Sequence, residues 1–425
     1  MPRGLYLLLR KLTATPDQVG RKAGVRQWRV PDSSPDQLTT ALVLLTPDGK
    51  TVARFADVQI MGTSAQHLTD GARTISGREV WLLHDGGIGT PWATGQARFE
   101  VLNSVNAAEE AAPPLPGARP WQLPGWRGEV LAWMEARLGH ALTEPAWVHT
   151  SDLGGVLTAR VGRRSRVYLK ALEDGREVRA ASQIAAQMPA LTPPLLAADP
   201  QRGWLLTADA GRGLNESAEL RHWDEAVRRL AQLHREGRWA GLRVHPFGAL
   251  PEQLKRLLTP VNLTHFGLND EQQQRILGTL PRLLDLCREV AALGMPECAC
   301  HGDLHANNVL VQGDTVRLFD WSEACTAHPL TDIGWFLAYV MLPIRSGWPL
   351  RQHWPDLGER LWTSYQAETG LDTTLSWRDL ALLALAHRAA ASEIRFRGWR
   401  GTLPGFRPLI VPYVLKLIRH FVPSG

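Results

Sequence analysis

One stretch constrains this chain more than any other: His301-Gly302-Asp303-Leu304-His305-Ala306-Asn307-Asn308, then two short apolar runs, then Asp320-Trp321. Read physically, an acid sits on a loop, an amide five residues later opens a strand over Val309 to Gln312, and a second acid closes the next strand, Val316 to Phe319. A two-strand ribbon brings its ends together, so Asn308 and Asp320 can converge on one hard cation. Oxygen-only ligands of this kind suit Mg²⁺, which keeps several waters and also takes phosphate oxygens. Asp303 is then left off the metal, free to accept a proton from an attacking hydroxyl. His301 is expected to brace the loop through a backbone contact, because Asp303 already fills the role of base. His305 reads as an exposed loop histidine.

The chain of 425 residues is too long for one hydrophobic core. The clearest break is Ala107 to Gly125, where Pro113, Pro114, Pro116, Pro120 and Pro124 predict a stiff, non-helical connector. Before it, Leu42 to Leu45 and Thr51 to Phe55 flank Pro47-Asp48-Gly49 as a hairpin, and Val80 to Leu83 is a further strand stopped by Asp85-Gly86-Gly87. Residues 1–110 therefore read as a small β-rich accessory domain of unknown role and 111–125 as a Pro-rich linker. After it, residues 126–209 carry a helix (Trp126 to Leu142), three strand-like runs, an Ala-rich helix (Arg176 to Met188) and a last strand (Gly203 to Thr207). Residues 210–425 are mainly helical.

Composition excludes several classes. A formal charge of +5, from 47 basic and 42 acidic residues, is too dilute to call for nucleic acid or an anionic membrane. Leu5 to Leu9 is too short for a signal-peptide core, and the apolar run Ile333 to Ile344 is too short to span a bilayer, so a soluble cytoplasmic protein is expected. Four cysteines make no disulfide framework. Cys298, Cys300 and His301 invite a zinc reading, but no second ligand pair exists and buried thiols on a strand are the simpler expectation.

The segment 301–321 resembles the aminoglycoside phosphotransferase and choline kinase group, small-molecule kinases with a protein-kinase-like fold. The group's pattern, H-G-D-L-H-x-x-N, a hydrophobic strand, then D-W or D-F, is matched throughout. The resemblance spans about residues 145–340. It implies an α+β, two-lobed fold with a small β-rich N-lobe and a large helical C-lobe, here preceded by the accessory domain. It further implies ATP and Mg²⁺ as cofactors, Asp303 as catalytic base, and Asn308 and Asp320 as metal ligands. Asp332, in Leu330-Thr331-Asp332-Ile333-Gly334, resembles the group's helix start and would support the loop by capping or by orienting Asp303.

A site of this kind must also hold the ATP phosphates with a cation on the small lobe. Only six of the 47 basic residues are lysines, and between Lys50 and Lys255 the sole one is Lys170, in a strand-like run. A compact ammonium there is a point-charge partner for α/β-phosphates and needs a carboxylate to hold it. Glu177, in the first turn of the next helix, is the natural candidate, with Glu173 or Asp174 as alternatives; a surface lysine on an edge strand is the competing reading. Ser151-Asp152-Leu153-Gly154-Gly155 would be the phosphate-covering turn, with Gly154 and Gly155 letting backbone N–H groups approach, although a plain hairpin fits as well. Thr207-Ala208-Asp209 falls at the group's hinge, where the backbone of Ala208 would read the adenine edge.

The acceptor is less legible. From Leu371 onward the acids are Asp372, Asp379 and Glu393, against Arg378, Arg388, Arg395, Arg397, Arg400, Arg407, Lys416 and Arg419. Such a tail suits a neutral or anionic hydroxyl compound better than a polycation; a solvated basic face is the plain alternative. Trp335, Trp348, Trp354, Trp362, Trp377 and Trp399 could stack on a sugar, but core packing explains them more simply. The leading expectation is an ATP- and Mg²⁺-dependent phosphotransferase acting on a hydroxyl of a small molecule, a neutral or anionic alcohol or sugar. The competing ones are an inactive nucleotide-binding module, against which Lys170, Asp303, Asn308 and Asp320 all argue, and a protein kinase, for which a D-F-G to A-P-E segment is missing.

Overall fold

The computed structural model describes residues 37–45, 47–48, 50–61, 65–76, 78–84, 96–102, 118–151, 154–163, 165–341, 356–397 and 410–418. The expected turn residues Gly49, Asp85-Gly86-Gly87 and Asp152-Leu153, the prolines at 113, 114 and 116, and Trp348, Trp354 and Trp399 lie outside them. Two compact units divide the chain. The described residues up to Gly175, with Leu196–Ala208, form one; Arg176–Leu195 and the described residues from Asp209 onward form the other.

The first unit opens with a sheet of β1 (Gln37–Leu45), β2 (Thr51–Met61), β3 (Val80–His84) and β4 (Gln96–Val101), ordered β2-β1-β4-β3, with helix α1 (Ala65–Ser76) between β2 and β3. The expected hairpin is present: β1 runs antiparallel to β2, with Leu42 opposite Phe55 and Leu44 opposite Ala53. Period-two alternation sends successive side chains of one strand to opposite faces. Here both faces are buried. Leu42, Leu44, Val80 and Leu82 pack with Leu68 and Ala72 of α1, whereas Val43, Leu45, Trp81 and Leu83 join a second core.

That second core belongs to α2 (Trp126–Leu138) and to a five-stranded sheet of β5 (Leu142–Ser151), β6 (Gly154–Val161), β7 (Ser165–Leu172), β8 (Leu195–Asp199) and β9 (Trp204–Ala208), ordered β5-β6-β7-β9-β8. Trp121, Trp126, Trp133 and Trp204 fill it, and Trp147 packs against both cores. Trp126 stacks on Trp147 at 5.4 Å, Trp81 lies 4.9 Å from Trp147, and Trp133 meets Trp204 edge-on at 5.3 Å. The Trp147 indole N–H donates to the Leu82 carbonyl at 2.8 Å, tying β5 to β3. Residues on either side of the Pro-rich linker thus share one hydrophobic core, and the line between compact units does not follow the boundary read from composition. The physical reason is the continuous apolar runs of β1 and β3, which have two faces to bury.

The second unit is helical: α3 (Arg176–Gln187), α4 (Leu220–Glu236), α5 (Leu250–Leu257), α6 (Pro260–His265), α7 (Asp270–Ala292), α8 (Pro329–Met341), α9 (Leu357–Thr369), α10 (Trp377–Arg397) and α11 (Ile410–Ile418). Asn269 caps α7 by accepting from the Gln272 N–H at 2.9 Å, while the Gln272 side chain accepts from the Asn269 N–H. Helices α8 and α10 pack closely because Gly334 has no side chain; a Cβ there would lie 2.4 Å from the Leu380 carbonyl oxygen. Short strands sit among these helices: β10 (Arg212–Gly213), β11 (Arg243–Val244), β12 (Cys298–Cys300), β13 (Val309–Gln312), β14 (Thr315–Leu318) and β15 (Cys325–Ala327), forming sheets β10-β13-β14 and β11-β15-β12. Mixed α+β architecture, with a β-rich first unit and a helical second, is the fold class expected from the sequence. No helix among the described residues is long and apolar enough to cross a membrane.

Candidate active site

The loop that follows β12 is held from beneath by one carboxylate. Asp332, in the first turn of α8 and 3% exposed, accepts the His301 N–H on Oδ2 at 2.7 Å and the Gly302 N–H on Oδ1 at 3.0 Å. His234 of α4 sits 3.2 Å from Asp332 Oδ2 through Nε2 and bonds Tyr365 through Nδ1 at 2.6 Å. Burial alone would raise the Asp332 carboxyl, but the His234 hydrogen bond and the nearby His234 and His301 rings hold it below the ordinary carboxylate value.

His301 is fully buried: its Nε2 lies 2.9 Å from the Phe319 carbonyl, and its Nδ1 receives the Asp303 N–H at 3.4 Å. Those partners make Nε2 the donor and Nδ1 the acceptor. Gly302 has φ +77°, and a Cβ there would lie 2.1 Å from the Glu323 carbonyl oxygen, so only glycine fits.

Asn308 and Asp320 flank a two-strand ribbon. Strands β13 and β14 pair antiparallel, Val309 opposite Leu318, and the Phe319 N–H donates to the Asn308 carbonyl at 3.0 Å. Asn308 Nδ2 donates to the Asp303 carbonyl at 2.9 Å, which turns its amide oxygen the other way. Asp320 follows in a left-handed conformation, φ +67°, with Oδ1 accepting from the Ser322 hydroxyl at 2.8 Å. The chemistry of this donor set, an amide oxygen and a carboxylate on the joined ends of one ribbon, fits a hard cation such as Mg²⁺.

Asp303 itself is gripped on one side. Its Oδ1 accepts from the Trp335 indole N–H at 3.1 Å and pairs with Arg388 Nη2 at 3.1 Å; Oδ2 has no partner among the described residues. Arg388, from α10, also donates to the Gly302 carbonyl at 2.7 Å and lies over the Trp335 ring at 5.4 Å. Sequence reading had placed Arg388 only within a basic tail. Its signal was present in Leu380 to Ala391, where His387 and Arg388 interrupt a run of Ala and Leu: a charge in a buried helix needs a partner.

His305 departs from expectation. It is 6% exposed, its ring stacked 4.4 Å from Tyr339, whose hydroxyl receives the Asn307 amide at 3.1 Å; the aromatic side of α8 covers the loop. Cys298 and Cys300 are buried free thiols on β12, as expected. They lie near His234 with ligand atoms within 4.8 Å, but both ring nitrogens of that histidine are engaged by Tyr365 and Asp332.

The nucleotide-lobe candidates fall on the first unit, with one exception. Lys170 is half-buried on β7, opposite Val156 on one side and Leu205 on the other, so its strand is central and the edge-strand reading is overturned. Gly154 and Gly155 begin β6 opposite Ser151 and Thr150, and Ala208 ends β9 opposite Val167. Glu177, 5% exposed, lies in the first turn of α3 and hence in the second unit. Glu173, weighed as an alternative partner for Lys170, is ion-paired with Arg119.

The phosphotransferase enzyme family matches residues 144–367, more than half of the chain, which therefore belongs to that family. The protein is a phosphotransferase. No curated protein matches the chain. Among solved structures it is similar to choline kinase from Cryptosporidium parvum Iowa II (12% identity, 69% of this chain and 94% of that one, TM-score 0.48). It is similar too to a choline/ethanolamine kinase family protein from Mesorhizobium loti (16%, 70% and 95%, 0.48) and an aminoglycoside phosphotransferase from Streptomyces rimosus ATCC10970 (20%, 62% and 97%, 0.40).

Proposed function

We propose that this phosphotransferase uses ATP and Mg²⁺ to phosphorylate a hydroxyl of a small neutral or anionic molecule, an alcohol or sugar, with Asp303 as general base. The observation that carries the reading is the asymmetric hold on Asp303: Oδ1 is fixed by Trp335 and Arg388 and Oδ2 is open, on a loop braced by Asp332. Oδ2 would take the acceptor proton as the acceptor oxygen bonds to the γ-phosphorus and the bond from that phosphorus to the β–γ bridging oxygen breaks, releasing ADP. Asn308 and Asp320 would hold Mg²⁺, which when bound offsets charge on the phosphate oxygens. Lys170 would take the α/β-phosphates, with Glu177 as its proposed carboxylate, the Gly154-Gly155 backbone covering them and Ala208 at the adenine edge. We keep residues 1–110 as an addition to this machinery. Four buried free thiols suit a reducing compartment, the cytoplasm.

The test is ATP consumption with Mg²⁺ against a panel of hydroxylated metabolites, for the wild type and Asp303→Asn. Acceptor-dependent turnover that collapses by about 10²-fold or more in the variant is expected, since general base catalysis contributes roughly 10²–10⁴-fold. Near wild-type kcat in Asp303→Asn would remove the base assignment, and efficient phosphorylation of a polycationic aminoglycoside would remove the acceptor class.

A further inference from the structure

We propose that Arg388 is the positioning residue of the catalytic carboxylate, and that through it the acceptor site turns away cations. The inference rests on Asp303 being the base and names what holds it.

Three observations carry it. First, Arg388 spans the loop: Nη2 meets Asp303 Oδ1 at 3.1 Å while Nη1 donates to the carbonyl of the preceding residue, Gly302, at 2.7 Å. A planar guanidinium bound at two points of one loop fixes both the carboxylate and the peptide before it. Secondly, the Trp335 ring under the guanidinium sends its own N–H to the same Oδ1 at 3.1 Å. One hydrogen bond and one ion pair on the same oxygen restrain the carboxylate and leave Oδ2 as the oxygen to take a proton. Thirdly, the charges balance. Glu323 lies 4.0 Å from Arg388 and 3.4 Å from Arg243, so two guanidiniums face two carboxylates, Asp303 and Glu323.

A carboxylate in a partly dry site would draw an ammonium by Coulomb attraction. Arg388 occupies that role from within the chain. An acceptor amine therefore gains little here, and a neutral or anionic hydroxyl compound loses nothing. The Nε–H of Arg388 is buried without a hydrogen-bond partner among the described residues, a cost that an apolar residue on α10 would avoid. Helix stability alone does not explain an arginine at this position.

The test uses the full chain and follows MgATP turnover with water and with three two-carbon alcohols of different charge: ethylene glycol, glycolate and ethanolamine. Arg388→Ala is expected to lower kcat about 10- to 100-fold, the scale of a small misplacement of a reacting group, with the KM for ATP within about twofold. Arg388→Lys should recover part of the loss, and guanidinium ion added to the Arg388→Ala protein should recover more. Relative kcat/KM for ethanolamine over ethylene glycol should rise at least about tenfold in Arg388→Ala, as one neutralising charge is lost. If Arg388→Ala does not fold, Trp335→Phe, which removes the hydrogen bond to Oδ1, and Arg388→Lys carry the kcat comparison. Arg388 variants with kcat within twofold of wild type, while Asp303→Asn collapses, would refute the positioning role and leave the base reading standing. Full activity in Asp303→Asn would refute the base reading itself. An activity loss that neither lysine nor guanidinium recovers, with ADP binding lost in parallel, would reduce Arg388 to a structural residue and overturn the proposal.

Discussion

Replacing Asp332 with alanine removes the acceptor of two backbone donors, His301 N–H and Gly302 N–H, together with the partner of His234. His301 is fully buried and Gly302 partly so, which places the first donor near the upper end and the second nearer the lower end of the ~1–3 kcal/mol cost of an unsatisfied buried group. Adding the lost contact to His234, Asp332→Ala should destabilise the unit by about 3–5 kcal/mol, a large share of the ~5–15 kcal/mol that holds a domain together. Asp332→Asn keeps one acceptor oxygen and should cost less, about 1–3 kcal/mol. Activity should respond more steeply, since a loop displaced by ~1 Å can cost ~10²-fold in kcat. Urea titration gives the stability change at constant m-value, and steady-state ATP turnover gives kcat. A midpoint shift worth under about 1 kcal/mol in Asp332→Ala, with kcat within about threefold of wild type, would show that the loop does not depend on this carboxylate, contrary to the reasoning here.

Three further outcomes are expected. Gly302→Ala must place a Cβ on the Glu323 carbonyl in a left-handed conformation, so it should lose roughly 1–3 kcal/mol from backbone strain alone and most of its turnover, read by melting and kinetics. His328 is buried, pushed down to about 4 by burial and by the His234 charge, and its Nδ1 accepts the Leu330 N–H at the start of α8 at 3.2 Å. The unfolded chain takes up that proton first, so stability is full above pH 6.5 and falls by about 1.4 kcal/mol per pH unit toward pH 4, a slope that His328→Asn should flatten in pH-dependent melts. Trp81→Ala should cost ~3–5 kcal/mol and, because its ring lies in the core shared with the Lys170 sheet, should raise hydrogen exchange in β7 as well as β3; exchange confined to β3 would contradict a shared core.

How far the sequence could be read depended on whether partners were local. Asp303, Asn308 and Asp320 fall within one loop and one ribbon, so their mutual placement follows from strand geometry, and His301 and Asp332 needed only the next helix to begin on time. Arg388 reaches Asp303 from α10, far along the chain, and no local rule names that pair even though an arginine inside an Ala/Leu run announces that some partner exists. His305 was misjudged for a similar reason: its polarity suggested solvent, but Tyr339 of α8 lies across it. In the first unit the signal lay in the residues themselves. Leu42 to Leu45 and Val80 to Leu83 are unbroken apolar runs, which a solvated two-layer accessory sheet does not require and a strand covered on both sides does.

The doubly covered β1 has a practical consequence for anyone shortening the protein. A chain begun at residue 118, just ahead of α2, would strip Val43, Leu45, Trp81 and Leu83 from the face carrying Trp126 and Trp147. Each such indole presents up to roughly 150–250 Å² of surface, so together they would bare an adhesive patch of the size that drives monomers to clump. Strands β1 and β3 thereby cover apolar surface of the sheet that follows them.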